Sequence, residues 1–329
     1  MPKVANEEVG DVGYGLMGLT WRPDPLPEEQ SFAAMRAALS NGCNLWNGAE
    51  FYGTPERNSL TLLRQYYDKY PEDADKVVLS VKGCLGPDHS LDCSPEGVRK
   101  SVTNCLDMLG ERGKIAMFAP GRRDPKVPLQ QTLRELDRFV QEGKIGGVAL
   151  SEVSAKTIEQ AAQITKIAAV EIELSLWQTD PLHNGITKVC KELGIPIMAY
   201  SPMGNGMLTG HIKSASDIPE GDIRRLLPRF KPENFEVNVK LVRALEKIAK
   251  RKNCTAAQLA ISWVVTLSKR PDMPVIIPIP GATKAARLEE NSRIFELTEE
   301  ELQEIDEVLA NHSIVGDRYP PEAQKLVNG

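Results

Sequence analysis

The chain has 329 residues, 41% hydrophobic and 26% charged, with a formal net charge of −5; these globular values leave enough apolar residues for a sizeable core. The acidic balance argues against a nucleic-acid surface and gives no reason to invoke an anionic membrane, and no apolar run approaches the ~18 residues of a membrane span. The opening MPKVANEEVG lacks the charged-then-apolar order of a signal peptide, and six scattered cysteines without a C-x-x-C pair read as reduced thiols of a cytoplasmic protein. The four histidines show no ligand spacing, so no metal site is expected.

The first motif in chain order is Gly13-Tyr14-Gly15-Leu16-Met17-Gly18, a literal G-x-G-x-x-G. In a dinucleotide fingerprint the third glycine opens a helix that faces the pyrophosphate. Here the continuation is LTWRPDPLP, and its three closely spaced prolines cannot extend a helix. The expectation is a barrel strand with small residues at its end.

From there β-rich runs alternate with helical patterns. Helix SFAAMRAALSNG precedes a strand at 44–46, and a second strand covers 77–81. PEGVRKSVTNCLDMLG has the start signal Ser94-Pro95-Glu96 and leads to a strand at 115–118. PLQQTLRELDRFVQEGK is followed by strand 147–150, AKTIEQAAQITK by strand 168–174, and ITKVCKELG by strand 195–200. Glycine stops stand at Gly42, Gly110, Gly143 and Gly194. A last strand is expected at 275–279. Strand then helix, repeated about eight times, is the pattern of a parallel sheet with crossover helices, and a closed (β/α)8 barrel fits the count and length. The whole of 1–329 reads as a single domain with two departures from the rhythm. One is a long irregular insertion near 205–236, and the other is an amphipathic helix plus polar tail after about residue 298.

In a barrel, side chains at the C-terminal strand ends share one mouth. Walking round it collects Met17, Trp21, Asn47, Tyr52, Lys82, Arg122, Ser151, Glu152, Glu171, Tyr200, Ser201 and the stretch from Gly281. A phenol with a pKa near 10 is a slow acid at neutral pH, and a close ammonium lowers that value by ~1–3 units. A Tyr52–Lys82 pair would therefore suit proton donation to an oxygen gaining charge. By residue type alone, packing or surface roles for the two are the stronger reading, since most Tyr and Lys near strand ends serve those roles.

LWNGAEFYG (45–53) is similar to the aldo-keto reductase segment F-D-T-A-x-x-Y-G, and LSVKG to that family's catalytic-lysine strand. VALSEVSAKTIEQA, AVEIELSL, IMAYSPMGNGMLTG and IPIPGATKAARLEEN resemble four further segments in the family's order. MGLTWRP, WNGAEFYG and DPKVPL resemble the fungal pyridoxal reductase branch of the family. The resemblance implies an aldo-keto reductase type barrel that binds NADPH across its mouth and reduces an aldehyde, pyridoxal first, with another small aldehyde or ketone as the alternative. It implies Tyr52 as proton donor, Lys82 as its partner and Tyr200 against the nicotinamide. Ser151, Glu152 and Glu171 match the carboxamide positions, and Ser201, Met203 and Asn205 the pyrophosphate; Met17 joins the cofactor set. Gly281, Thr283, Lys284, Arg287, Glu290 and Asn291 match the adenosine end, where Arg287 and Lys284 suit a 2′-phosphate. Trp21, Gly121 and Arg122 fall on the substrate side.

The chain departs from the family's Asp, Tyr, Lys, His set. Asn47 stands at the acid and Gly121 at the histidine, while Glu152 and Glu171 replace Asn and Gln. An uncompensated Lys82 would either depress Tyr52 further or lose its own proton, and either glutamate could supply a replacement charge. Gly121 is expected to open space beside Tyr52, with Arg122 or a water taking over the lost hydrogen bond. The other reading is an NADPH-sensing interaction barrel whose chemistry has decayed. Neither a heptad seam nor a basic patch points to a macromolecular partner or an oligomeric state.

Overall fold

The computed structural model describes residues 1–24, 26–86 and 90–329. Pro25, one of the three prolines after the glycine motif, and His89, one of the four histidines, lie outside them.

A short antiparallel hairpin, β1 (Lys3–Val4) and β2 (Glu7–Glu8), precedes eight parallel strands. These are β3 (Tyr14–Gly15), β4 (Leu45–Ala49), β5 (Val78–Gly83), β6 (Met117–Pro120), β7 (Val148–Ser151), β8 (Ile167–Glu173), β9 (Ile197–Tyr200) and β10 (Ile276–Pro278), each beside its chain neighbour. The sheet closes on itself. Gly15 forms a parallel bridge with Gly281, and the Gly13 N–H donates to the Pro278 carbonyl at 2.9 Å. The fold is the expected (β/α)8 barrel.

The glycine motif is what allows this closure. A Cβ on Gly13 would lie 2.6 Å from the Leu45 carbonyl and 2.9 Å from the Ile279 side chain; one on Gly15 would lie 3.0 Å from the Ile279 carbonyl. After it comes a single turn, α1 (Met17–Thr20), which ends at Trp21. The dinucleotide-fingerprint reading is thereby excluded on geometry as well as on the prolines.

Crossover helices α2 (Glu28–Ser40), α3 (Ser59–Lys69), α4 (Pro95–Leu109), α5 (Leu129–Gln141), α6 (Ala155–Ala162) and α7 (Ile186–Glu192) follow the strands in turn. The start of α4 is as the sequence indicated: the Ser94 hydroxyl accepts the Gly97 N–H at 3.0 Å with Pro95 in the first turn. The four expected glycine stops follow their helices in left-handed backbone. The segment expected to be irregular over 205–236 is a run of short 3-10 turns only as far as Lys231; Pro232 opens the long helix α8 (Pro232–Arg251). Helices α9 (Ala256–Ser268) and α10 (Ala285–Ser292) flank β10, and α11 (Glu299–Asn311) packs on α8.

Alternation along the strands sorts the barrel interior into layers. Leu45, Val78, Met117, Ala149, Ala169, Met198 and Ile277 point inward near the strand starts, where Val4 and Val9 from the hairpin segment plug the floor. Two residues further along or more, the same inward rows become Asn47, Lys82, Ser151, Glu171, Glu173 and Tyr200. The apolar floor and polar mouth are thus one period-two pattern read to its end.

Candidate active site

Tyr52 stands on the turn after β4. The Thr20 hydroxyl donates to its carbonyl at 2.6 Å, as does the Ser59 N–H at 3.2 Å. Gly53 must follow, because its φ is +128° and a Cβ there would lie 2.2 Å from the Arg57 carbonyl. Asn58 then caps α3, accepting the Leu60 N–H at 2.9 Å and the Thr61 N–H at 3.1 Å. The turn carrying the tyrosine is fixed at both ends.

The Lys82 ammonium lies 5.0 Å from the centroid of the Tyr52 ring. It donates to Asn47 Oδ1 at 2.6 Å and to Glu171 Oε1 at 2.6 Å, while Asn47 Nδ2 donates to Glu171 Oε2 at 2.7 Å. All three residues are buried. The expectation of an uncompensated lysine is therefore corrected: Glu171, across the barrel, supplies the charge, and neither consequence drawn from its absence holds. Burial pulls the Lys82 ammonium down, Glu171 and Tyr52 push it up, and the net value lies above the ordinary lysine range. For Tyr52, burial raises the phenol, Lys82 lowers it and Glu171 raises it again. Burial prevails, so the phenol sits above 10.0 rather than below it.

Glu152 is engaged elsewhere. Arg318, from the segment after α11, donates to Glu152 Oε1 at 2.9 Å, to Glu173 Oε2 at 2.7 Å and to the Tyr200 hydroxyl at 2.7 Å. The Tyr200 and Tyr319 hydroxyls are 2.8 Å apart. Burial pushes the Glu152 carboxyl up, but the Arg318 guanidinium holds it below the usual range; Glu173, where burial prevails over Arg318, stays above it. Two polar atoms in this layer, Ser151 Oγ and Glu152 Oε2, are buried with no hydrogen-bond partner among the described residues.

Gly121 does not open the expected space. A Cβ there would lie 3.1 Å from the Phe51 ring, which fills the room beside Tyr52. Phe51 packs edge-on to Tyr52 at 5.2 Å, and Trp21 lies over Tyr52 at 5.6 Å, so three aromatic rings form one wall. Arg122, whose guanidinium is 5.8 Å from the Tyr319 ring, is close enough to Tyr52, Tyr200 and Glu152 for their charges to act on it.

The remaining sites of interest form a second group along the rim. Ser201 Oγ donates to Asn205 Oδ1 at 2.9 Å, with Met203 between them. Cys84, Glu152 and Ser201, each following a strand, all have left-handed backbone (φ 61°, 54° and 49°), a conformation costing about 1–3 kcal/mol and concentrated at functional sites. Gly281, Thr283, Lys284, Arg287, Glu290 and Asn291 run from the β10 end into α10, and a Cβ on Gly18, beside Met17, would lie 3.6 Å from Thr283. Arg287 pairs with Glu290 and meets His211 of the insertion at 2.8 Å, so the insertion and α10 approach each other here. The structure thus gathers Asn47, Tyr52, Lys82, Gly121, Arg122, Ser151, Glu152, Glu171 and Tyr200 at the mouth and sets the Arg287 group apart from them.

Residues 11–310 match the model of the aldo/keto reductase family. The chain belongs to that family. As an aldo/keto reductase it is an NADP(H)-dependent oxidoreductase, and its relatives fit: a probable pyridoxal reductase 2 of Schizosaccharomyces pombe is 41% identical over the full length of both chains. A putative pyridoxal reductase of Saccharomyces cerevisiae is 38% identical, with 94% of this chain and 95% of that one covered. A Schizosaccharomyces pombe aldo-keto reductase whose name specifies NADP(+) is 34% identical, covering 98% and 94%. Among solved structures, a glycerol dehydrogenase of Gluconobacter oxydans superposes with a TM-score of 0.80 at 24% identity, over 95% of this chain and 94% of that one.

Four residues of this aldo/keto reductase mouth escaped the sequence reading. Phe51 and Glu173 carried a signal, an aromatic beside the tyrosine and an acid two places beyond Glu171 on one strand. Arg318 and Tyr319 carried none, since only folding brings residue 318 to strands some 145 positions earlier.

Proposed function

We propose that this aldo/keto reductase reduces a small aldehyde with NADPH, pyridoxal first among candidates, and that Tyr52 delivers the proton. The observation that carries the reading is the buried Tyr52–Lys82 contact, at 5.0 Å from ring centroid to ammonium, opening on the mouth. The names of the two fungal relatives above support pyridoxal as the substrate.

The mouth suits the cofactor. The partnerless Ser151 hydroxyl and Glu152 Oε2 offer a donor and an acceptor, which matches the acceptor and donor of a primary carboxamide. Tyr200, oriented by Arg318 and Tyr319, would flank the nicotinamide ring, and Ser201, Met203 and Asn205 would follow the pyrophosphate. Met17, Gly281, Thr283, Lys284, Arg287, Glu290 and Asn291 would hold the adenosine end, with Arg287 and Lys284 on the 2′-phosphate. When bound, NADPH supplies the hydride for the carbonyl carbon. Tyr52 then gives its proton to the carbonyl oxygen, and the Lys82 ammonium, held by Asn47, stabilises the phenolate left behind. Trp21 and Phe51 form an apolar wall for an aromatic aldehyde, and Arg122 places its guanidinium at the position of the missing histidine, donating to the Gly121 carbonyl at 2.7 Å. Residues 1–329 act as one unit in this reading, and six free thiols suit the cytoplasm.

The test follows NADPH absorbance with pyridoxal and a generic aromatic aldehyde. Sustained turnover favouring pyridoxal, falling ~10²–10⁴-fold in Tyr52→Phe with an unchanged melting curve, is the expected result. Tight NADPH binding without turnover on either aldehyde would sink the reading in favour of a cofactor-sensing barrel.

A further inference from the structure

We infer that Glu171 is the counter-ion and positioning residue of Lys82, so that the negative charge expected at position 47 has moved across the barrel to β8. The inference rests on the reading of Tyr52 and Lys82 as the proton-donating pair. It deepens that reading by naming the group that keeps the lysine charged and aimed.

Three hydrogen bonds close a ring: Lys82 to Glu171 at 2.6 Å, Lys82 to Asn47 at 2.6 Å, and Asn47 to Glu171 at 2.7 Å. Their polarity allows one arrangement. An ammonium only donates and a carboxylate only accepts, so the asparagine must turn its oxygen to the lysine and its NH₂ to the glutamate. The amide at position 47 does both, which an ionised carboxylate cannot. An aspartate there would set two carboxylates against each other about 2.7 Å apart, with like charges competing for one cation. Asn47 and Glu171 are therefore a matched pair that places one negative charge beside Lys82, as a strand acid alone would. Exposures of 3%, 3% and 2% for Asn47, Lys82 and Glu171 leave little room for bulk water to compete. Glu152 and Glu173, the other acids at the mouth, are committed to Arg318. With two of its three N–H groups spent on the ring, Lys82 has one left for Tyr52.

The experiment is a charge exchange between the two positions. Glu171→Gln, Asn47→Asp and the double variant are compared with the native chain by NADPH turnover on pyridoxal from pH 6 to 10.5. Expected in Glu171→Gln is a kcat loss of about a hundredfold with NADPH affinity changed only a few-fold. Its alkaline limb should move down by about one unit or more, because the Lys82–Tyr52 pair gives up a proton more readily without the anion. The double variant should recover most of the rate and the native limb, although each single variant is impaired. A Glu171→Gln enzyme within about threefold of native, with the same profile, would overturn the inference, as would a double variant no better than the worse single. A native protein that turns over no aldehyde would fail the reductase reading instead. The Lys82 side-chain nitrogen followed by NMR against pH separates the two failures. A fall of about one unit in Glu171→Gln, reversed in the double variant, supports the pairing even without turnover, and no change overturns it. If Glu171→Gln does not fold, Asn47→Asp carries the test. Its crowded carboxylates should give a titration of rate or of the Lys82 signal near neutrality that the native chain lacks, and its absence would overturn the inference.

Discussion

Position 47 shows how one amide can do work that the residue type hides. An asparagine in place of an acid reads as a loss of charge, yet Asn47 bridges a lysine and a glutamate from two other strands. The same residues set the pH behaviour. The buried phenol of Tyr52 lies above 10.0, so it stays protonated through the neutral and mildly alkaline range. Reduction measured as kcat/KM should therefore show no alkaline limb below about pH 10, and a limb near pH 8 would contradict this. At the far end of the mouth, Arg287 is exposed and, among the described residues, its guanidinium meets Glu290 and His211, which a phosphate can displace. Arg287→Ala should weaken NADPH binding by ~10–100-fold, the worth of charged hydrogen bonds, and leave NADH binding nearly unchanged. Titration of nucleotide fluorescence on binding would measure both. Equal losses for the two nucleotides would mean that Arg287 does not read the 2′-phosphate.

At the scale of elements, strand ends matter more than strand middles. β4, β5, β7 and β8 each pass from apolar floor to polar mouth by period-two alternation, so their chemistry could be located once the strands were recognised. Helix starts and glycine stops were legible for the same reason: they depend on contacts within a few residues. The closing strand β3 is two residues long, and Gly15 within it and Gly13 just before it do what side chains cannot, letting β4 and the segment after β10 approach. Gly13→Ala should cost about 1–3 kcal/mol, because the new methyl meets the Leu45 carbonyl at 2.6 Å. Urea unfolding would show it, and an unchanged midpoint would refute the packing account. The insertion was legible as irregular but its end was not, since Pro232 serves equally as a loop residue or as a helix opener, and packing against α9 and α11 decides.

Over the whole molecule, the tail is the element that ties distant parts together. Asn238 on α8 exchanges two hydrogen bonds with the Val315 backbone, at 2.9 and 2.7 Å, and Arg229 holds the Gly316 carbonyl at 3.1 Å. This delivers Arg318 between Glu152 and Glu173, and the chain then runs on until the Gly329 carbonyl accepts from Thr157 at 2.8 Å. Arg318→Met would leave two buried carboxylates without their cation, at a cost of ~3–5 kcal/mol in denaturant unfolding at pH 8. The pH dependence gives the sign. In the native chain Glu152 lies below the ordinary carboxyl value, so its contribution is present above that value and lost as pH falls through the folded one. Without Arg318 the same carboxyl would rise on burial, and the variant should gain stability relative to native on going from pH 8 to pH 5. A parallel pH dependence would argue against the ion pairs.

The sequence by itself determined the barrel, the strand ends that meet at its mouth, and Tyr52 and Lys82 as neighbours, because these depend on alternation, local caps and a family motif carried on contiguous residues. Only the tertiary structure decided which acid serves which cation, that Phe51 fills the room beside Gly121, and that Arg318 reaches the mouth. Glu171 and Glu152 are equivalent on paper; a buried charge is settled by whichever opposite charge the fold brings within hydrogen-bond reach.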